Sequence, residues 1–402
     1  MQYLLQGSLF LYPMSFILHH IKVVEKLIGQ YKGATPFAAF LKEYFSKNKQ
    51  HGSKDRKGIA NLCYTYFRLS NSLKEVSFEE KLKAALFLCN NSLPVYAQPL
   101  FTEDESTIWP EEIEERLVQI KKLYPSFNIA EIIPYSLDEL SEGVNKEKFL
   151  QAHLFQPKLF VRIRKAERQK QILNTLNKES IAYTLLGNDC LELDNSTDIS
   201  KYLKIDEEVV IQDYSSQRVA TLFKHLNKQD MKVWDCCAAS GGKSILLYDY
   251  FNGIHITATD VRQSIIMNLK DRFRKAGITR FNTSVADASI MQDNHYDLVI
   301  ADAPCTGSGT WSRTPEYLTY FKTEQIKEFA ELQKRILTNV ATQVKSGGFL
   351  IYITCSALKQ ENEEVVKEVM AKHKDLQLIE HKVLEGYNQK ADTMFATILQ
   401  KH

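Results

Sequence analysis

The sequence predicts an α/β protein in which a doubly wound, Rossmann-like domain follows an all-helical N-terminal domain and a small α/β subdomain. Three observations predict this organisation. Apolar residues first recur at three- and four-residue spacing, five prolines then interrupt the pattern, and short β-type runs finally alternate with helical stretches. We expect domain boundaries at residues 1–135, 136–205 and 206–402.

The helical pattern runs from about Ile17 to Asn90, with apolar pairs such as Val23 and Leu27 on one face. Prolines between residues 91 and 134 indicate a loop-rich connector, because proline removes a backbone donor and ends helices. One helix is predicted inside this connector, over Ile113–Leu123.

The predicted subdomain begins with a strand over Leu159–Ile163 and a helix over Glu167–Leu176, followed by strands over Tyr183–Leu186 and Leu191–Leu193. Its first strand and helix carry a basic cluster with Glu167 as the single acid in it. A solvated helix face is the simpler interpretation, but a cluster that spans a strand and a helix favours contact with nucleic-acid phosphates. The candidate nucleic-acid-binding residues are Arg162, Arg164, Lys165 and Arg168.

From Val209 onward, strand-like runs alternate with helical stretches, which predicts a parallel sheet covered on both faces. The predicted strands are Lys232–Asp235, His255–Asp260, Thr283–Ala286, Leu298–Ala301 and Phe349–Thr354.

Composition narrows the class of protein. The 402 residues are 44% hydrophobic with a formal net charge of +2, so overall charge does not indicate a nucleic-acid partner. Seven scattered cysteines lack metal-ligand spacing and indicate reduced thiols. The apolar run Leu9–Leu18 is too short to span a bilayer and lacks signal-peptide flanks, and we expect translation to start at Met14. We therefore expect a cytoplasmic monomer without a membrane segment or metal site.

A cofactor turn is predicted where the strand ending at Asp235 enters an apolar helix. Its small residues let a ligand approach the backbone, and the helix presents free amides. The pattern is neither G-x-G-x-x-G nor a Walker A motif, because Cys237 occupies the place of the latter's first glycine. The candidate cofactor-binding residues of this turn are Cys237, Ala238, Ala239, Ser240, Gly241, Gly242 and Lys243.

Asp260, Asp287 and Asp302 follow successive predicted strands. Each alone could simply cap a helix, but ligands of doubly wound sheets bind at the carboxyl ends of the strands. Together the three acids favour a nucleoside ligand.

Two cysteines, Cys305 and Cys355, also follow predicted strands and should face the same crevice. A cysteine inside a protein is more often a small apolar residue than a nucleophile. The matched positions of this pair favour a reactive role.

Three motifs resemble the RsmB-type family of RNA cytosine-5 methyltransferases: Cys-Ala-Ala-Ser-Gly-Gly-Lys at 237–243, Asp-Ala-Pro-Cys-Thr-Gly-Ser-Gly at 302–309 and Thr-Cys-Ser at 354–356. The resemblance runs from about Gln151 to the end of the chain. More loosely, the helical start with Ser53-Lys54-Asp55-Arg56 resembles the NusB-like RNA-binding domain of ribosomal-RNA members.

This resemblance implies a class I methyltransferase that uses S-adenosyl-L-methionine to form 5-methylcytosine in RNA. It assigns Cys355 as the catalytic nucleophile, Cys305 as the catalytic cysteine that releases product, and the turn residues with Asp260, Asp287 and Asp302 as cofactor contacts. The NusB-like start favours 16S ribosomal RNA as the substrate. The alternatives are a transfer-RNA methyltransferase, a non-catalytic ribosome-assembly protein and, from the glycine turn and Asp260 alone, a nicotinamide-dependent oxidoreductase.

The sequence departs from the family pattern at three places. Ser240 replaces the usual proline, which is expected to loosen the cofactor turn, and Ala391–Phe395 replaces Asp-Gly-Phe-Phe. Neither change is expected to touch the nucleophile. The segment Ser312–Glu316 keeps only part of an Arg-Arg-x-Pro-Asp pattern, which puts RNA contacts there in doubt.

Overall fold

The structure, a computed structural model, describes residues 14–104, 109–226, 229–290 and 295–402. The expected start of translation at Met14 depends on residues 1–13, which lie outside the described residues. The chain divides into two compact units. One contains the residues up to Tyr135 with Leu150–Phe155 and Trp311–Phe321, and the other contains Ser136–Phe149, Gln156–Thr310 and Lys322–His402.

The first unit is helical, as predicted. Its apolar face packs around Phe37, whose ring centroid lies 4.9 Å from those of both Tyr31 and Phe67. Ser77 and Glu80 form a reciprocal capping box that fixes the start of the fourth helix. The helices are α1 (Met14–Gln30), α2 (Phe37–Lys47), α3 (Ser53–Arg68), α4 (Phe78–Cys89) and α5 (Ile113–Leu123).

The segment Trp311–Phe321 belongs to this helical unit although it comes late in the chain. Trp311 is 1% exposed, and the buried Arg68 guanidinium donates to the Ser312 carbonyl at 3.0 Å. The Glu316 carboxylate accepts a hydrogen bond from the first backbone N–H of α2, at Phe37. Ser312 and Glu316, two positions at which this sequence departs from the Arg-Arg-x-Pro-Asp pattern, therefore serve the interior of the helical unit, whereas Arg313 is exposed.

The second unit contains the small subdomain, an antiparallel sheet in the order β2-β3-β1-β4. Helix α7 begins at Gln169, two residues later than predicted, after a single 3-10 turn. It buries Ile172 and Leu176 against this sheet. The elements of this part of the chain are α6 (Lys146–His153), of which residues 150–153 belong to the helical unit, β1 (Leu159–Ile163), α7 (Gln169–Lys178), β2 (Tyr183–Leu186), β3 (Cys190–Leu193), β4 (Val209–Ile211) and α8 (Tyr214–Arg218).

A seven-stranded sheet forms the rest of this unit, in the order β10-β11-β9-β8-β5-β6-β7. Strands β5 to β9 are parallel, and the order reverses at β5, which has β6 on one side and β8 on the other. The Rossmann-like fold predicted from the sequence is therefore confirmed. Its strands are β5 (Lys232–Asp235), β6 (His255–Asp260), β7 (Phe281–Val285), β8 (Tyr296–Asp302), β9 (Val344–Thr354), β10 (Leu376–Leu384) and β11 (Met394–Lys401).

The expectation of a purely parallel sheet is wrong at one edge. β11 pairs antiparallel with β9, and β10 pairs antiparallel with β11. This hairpin places Phe395 opposite Thr354, beside Cys355, and the Thr393 N–H donates to the Gly309 carbonyl. The substituted segment Ala391–Phe395 therefore lies next to the proposed nucleophile, contrary to expectation.

Both faces of the large sheet are covered, because successive strand residues enter different apolar clusters. Val233 packs in one cluster and Trp234 in the other. The covering helices are α9 (Gly242–Tyr250), α10 (Gln263–Lys275), α12 (Glu324–Thr342) and α13 (Glu363–Lys372), while α11 (Tyr317–Tyr320) lies in the helical unit. Every helix within the described ranges is too short or too polar to cross a membrane.

Candidate active site

A cavity of about 540 Å³ lies at the carboxyl ends of β5, β6 and β8, where the strand order reverses. Seven of the predicted site residues line it: Cys237, Ala239, Asp260, Asp287, Asp302, Cys305 and Cys355. The other turn residues, Ala238, Ser240, Gly241, Gly242 and Lys243, do not line the cavity. We call this cavity the crevice.

The cofactor turn has an unusual backbone. Ala239 has φ +44° and Gly241 has φ +82°, so two residues of the turn adopt the left-handed conformation. A Cβ on Gly241 would lie 2.6 Å from Phe273 Cε1, so only glycine fits there. The turn directs Ala239 towards the crevice, and Gly241 immediately precedes α9.

Ser240 does not loosen this turn, contrary to expectation. The Arg272 guanidinium donates to both the carbonyl and the hydroxyl of Ser240 at 2.8 Å. Asp206 holds Arg272 in turn, at 2.7 Å, and both side chains are largely buried. Arg272 on α10 and its partner Asp206 thus form a charged clamp, which restrains the backbone of the turn as a proline ring would. The sequence offered no local signal for it, since Arg272 is 32 residues from Ser240.

Asp260 and Asp302 present carboxylates to the crevice with different partners. Burial acts to raise the pKa of Asp260, but hydrogen bonds from Arg262 and from the Ala239 N–H lower it overall. Asp302 pairs with Lys243 Nζ at 3.0 Å, and Lys243 also donates to Ser216 at 2.7 Å. Lys243 does not line the crevice, so it acts on a ligand there through Asp302.

Asp235, which was not among the predicted site residues, lies fully buried at the end of β5. Burial raises its pKa to about 7, against a 2.6 Å hydrogen bond from Ser244 that favours the ionised form. The sequence signal that could have identified Asp235 is its position at the end of β5, directly before the cofactor turn. The role of Asp235 is to hold the first turn of α9.

Cys305 and Cys355 both line the crevice, with their sulfur atoms 3.2 Å apart. Parallel pairing of β8 with β9 brings the two strand ends together, with Asp302 opposite Ile353. The hydrogen bond with Cys355 and burial both raise the pKa of the Cys305 thiol. The thiol form of Cys305 is therefore favoured over its thiolate in this arrangement.

Arg162 and Arg164 are not on the surface, which corrects the expected basic patch. Their side chains are 2% and 3% exposed, and both pair with the buried Asp249 carboxylate, at 2.7 and 2.6 Å. Of the four candidates, Lys165 is exposed and Arg168 is half-buried, 3.9 Å from Glu207. The arginines that looked like an RNA contact instead join β1 to α9.

Asp249→Asn is expected to lower the free energy of unfolding by about 3 to 5 kcal/mol, because it leaves two buried guanidinium groups without their anion. Chemical denaturation of Asp249→Asn and of the unmodified protein measures this loss of stability. Asp271→Asn is the matched control: its pair with Arg274 is about two-thirds exposed, so it should cost less than about 1 kcal/mol. Equal effects of the two substitutions would contradict the assigned role of Asp249.

The fold and the crevice define a Rossmann-like methyltransferase domain of the class that uses S-adenosylmethionine. Residues 220–401 match the family described as "16S rRNA methyltransferase RsmB/F", so the resemblance predicted from the motifs is confirmed. Over 240 residues the chain is 31% identical to the probable ribosomal RNA small subunit methyltransferase B of Bacillus subtilis, covering 58% of this chain and 53% of that protein. Over 175 residues it is 29% identical to ribosomal RNA small subunit methyltransferase B of Yersinia pseudotuberculosis, covering 43% and 40%. The chain thus spans about half the length of these relatives or less.

Solved structures share the fold. The crystal structure of PH0851 superposes with a TM-score of 0.68 over 97% of this chain and 99% of that one, at 19% identity. NSun6 from Pyrococcus horikoshii, crystallised with SFG, superposes with a TM-score of 0.58 over 68% of this chain and 99% of that one, at 15% identity.

Proposed function

We propose that this protein methylates carbon 5 of a cytosine in RNA, with S-adenosylmethionine as methyl donor and a transient bond between Cys355 and carbon 6 of the base. The observation that carries the proposal is the pair of sulfur atoms 3.2 Å apart in the lining of the crevice. A methyltransferase that acts on an oxygen or an amine has no use for two adjacent thiols. Carbon 5 of cytosine does, because it is a poor nucleophile until a thiolate adds to carbon 6.

The residues of the crevice fit the proposed cofactor. S-adenosylmethionine carries ribose hydroxyls and a positively charged amino-acid part, for which Asp260, Asp287 and Asp302 offer carboxylates within one cavity. The left-handed turn at Ala239 leaves room for close approach of a ligand. Arg262, whose side chain is 58% exposed, now covers both oxygens of Asp260 and must share them with a ribose or swing away.

The protein's own residues then carry the reaction. Cys355 adds to carbon 6, which makes carbon 5 nucleophilic towards the methyl group that S-adenosylmethionine supplies when bound. A water molecule that Cys305 orients, or Cys305 itself once it has passed its own proton to water, removes the proton from carbon 5. The bond between Cys355 and carbon 6 then breaks, restoring the aromatic ring and the free thiolate. Asp302 lies in the same cavity as both thiols, so it can hold the amino edge of the base.

The substrate we propose is small-subunit ribosomal RNA, as the names of the two curated relatives indicate for those proteins. The target base must leave its stack to reach the thiols, which an unpaired loop permits at a lower free-energy cost than a duplex. The exposed Lys165 and the half-buried Arg168 remain candidate phosphate contacts.

Bisulfite sequencing of total RNA from cells with and without the gene tests the proposal. Loss of 5-methylcytosine at one small-subunit position is the expected result. Loss in transfer RNA would keep the chemistry and replace the substrate. Unchanged methylation would overturn the proposal and favour a non-catalytic role in ribosome assembly.

Arg272→Ala is expected to weaken cofactor binding about tenfold, because losing charge-assisted hydrogen bonds to the turn costs about 1.5 to 3 kcal/mol, part of which relaxation recovers. Calorimetric titration with S-adenosylhomocysteine measures the dissociation constant. Arg274→Ala, on the exposed face of the same helix, is the control and should bind as the unmodified protein does. If both variants bound normally, the clamp would not support the turn.

A further inference from the structure

Glu361 is a fully buried carboxylate that lies between the loops carrying the two thiols. Its Oε1 atom accepts hydrogen bonds from the Thr306 N–H at 2.9 Å and from Gln333 Nε2 at 3.0 Å. Its Oε2 atom accepts from the hydroxyls of Thr306 and Ser356, both at 2.5 Å. Glu361 was not among the predicted site residues, although it follows Cys355 by only six positions.

The donors to Glu361 are the sequence neighbours of the thiols: Thr306 follows Cys305 and Ser356 follows Cys355. The parallel ladder between β8 and β9 ends at Asp302 and Ile353, so it does not reach the cysteines. Beyond the ladder, the two loops are joined by their hydrogen bonds to Glu361 and by the 3.0 Å hydrogen bond from the Gly309 N–H to the Cys355 carbonyl. One carboxylate thus receives hydrogen bonds from both loops.

The hydrogen bonds indicate that Glu361 is ionised. Each oxygen accepts two, which fills the acceptor sites of an ionised carboxylate. Burial raises the pKa of Glu361 overall, and the hydrogen bonds from Ser356 and Thr306 act to lower it. Among the residues that the structure describes, no lysine or arginine forms an ion pair with it. The pKa of the Cys305 thiol is raised most by its hydrogen bond with Cys355, next by burial, and further by the charges of Cys355 and Glu361.

We propose that Glu361 is a positioning residue for the thiol pair: it fixes Cys305 beside Cys355 and so sets the step that releases the methylated RNA. Glu361 does not line the crevice and touches neither base nor cofactor; it acts through Thr306 and Ser356. The role deepens the proposed function and rests on it, because it assumes that the two cysteines work on one base.

The first test requires no RNA. Cys305 is alkylated with iodoacetamide over a series of pH values, and modification is followed by mass spectrometry. In Glu361→Gln the nearby negative charge is absent, so the alkylation profile of Cys305 should move to lower pH. Glu363→Gln, two residues away with its carboxylate bound to Ser141, is the matched control and should leave the profile in place. Coinciding profiles for the unmodified protein and Glu361→Gln would overturn the proposal.

The second test measures release. With small-subunit RNA from cells lacking the gene, Glu361→Gln should form the covalent RNA adduct but resolve it up to about a hundredfold more slowly, the effect of displacing a catalytic group by about 1 Å. The KM for RNA should stay within error of the unmodified value. Release at the normal rate would overturn the positioning role.

The two tests separate this proposal from the proposed function. If the unmodified protein formed neither adduct nor 5-methylcytosine, the function would fail while the alkylation result still judged the link between Glu361 and Cys305. If Glu361→Gln did not fold, Thr306→Val would replace it, because it removes one hydroxyl donor and keeps the carboxylate. A Thr306→Val variant with normal release would also overturn the positioning role.

Discussion

Cys355→Ala should reduce methylation below detection. Without the thiolate at carbon 6, carbon 5 of cytosine stays too weak a nucleophile to take the methyl group, and removing a covalent nucleophile lowers kcat by about 10⁶-fold in a well-studied hydrolase. Transfer of a labelled methyl group to RNA from cells lacking the gene measures the loss.

Two controls make the Cys355 result specific. Cofactor binding by Cys355→Ala should be unchanged within about threefold, since the carboxylates of the crevice remain. Cys89→Ala, in the helical unit, should methylate at the unmodified rate. Substantial methylation by Cys355→Ala would show that another group attacks the base, and Cys305, 3.2 Å away, would be the first to examine.

Cys305→Ala should have the opposite signature, in which a covalent complex of protein and RNA accumulates. Cys355 still adds to carbon 6 and the methyl group still transfers, but the proton at carbon 5 has lost its base, which lowers release by about 10² to 10⁴-fold. A denaturing gel should show a band of protein joined to RNA, and mass spectrometry should place the link at Cys355.

The double variant, Cys305→Ala with Cys355→Ala, supplies the control for the trapped complex. It should give no linked band, because the atom that forms the bond is gone. A linked band in the double variant would place the link elsewhere, and free turnover by Cys305→Ala alone would refute its assigned role.

The sequence predicted those parts of the molecule that local patterns determine. The bounds of β5, β6 and α5 agree with the structure to the residue, because each combines a clear apolar period with a turn or capping signal at its ends. The crevice residues at strand ends were also predicted, since parallel strands bring their carboxyl ends to one edge.

What the sequence did not predict depends on contacts between distant residues. β10 and β11 are joined by nine residues instead of a two-residue turn, so no hairpin signal marks them. Arg162 and Arg164 looked like a surface patch because Asp249, which neutralises them, is about 85 positions away. Arg272 and Glu361 gained their roles in the same manner, through partners that only the folded chain brings near.

The membership of Trp311–Phe321 in the helical unit bears on how the protein can be divided. A fragment that starts at Ser136 would leave the Trp311 ring, now 1% exposed, without its covering and would invite aggregation. A fragment that ends at Tyr135 would in turn lose the carboxylate that caps Phe37 and both carbonyls that hold Arg68. Expressing either half alone therefore requires new surface residues, and a single proteolytic cut near residue 135 should leave two pieces that remain associated.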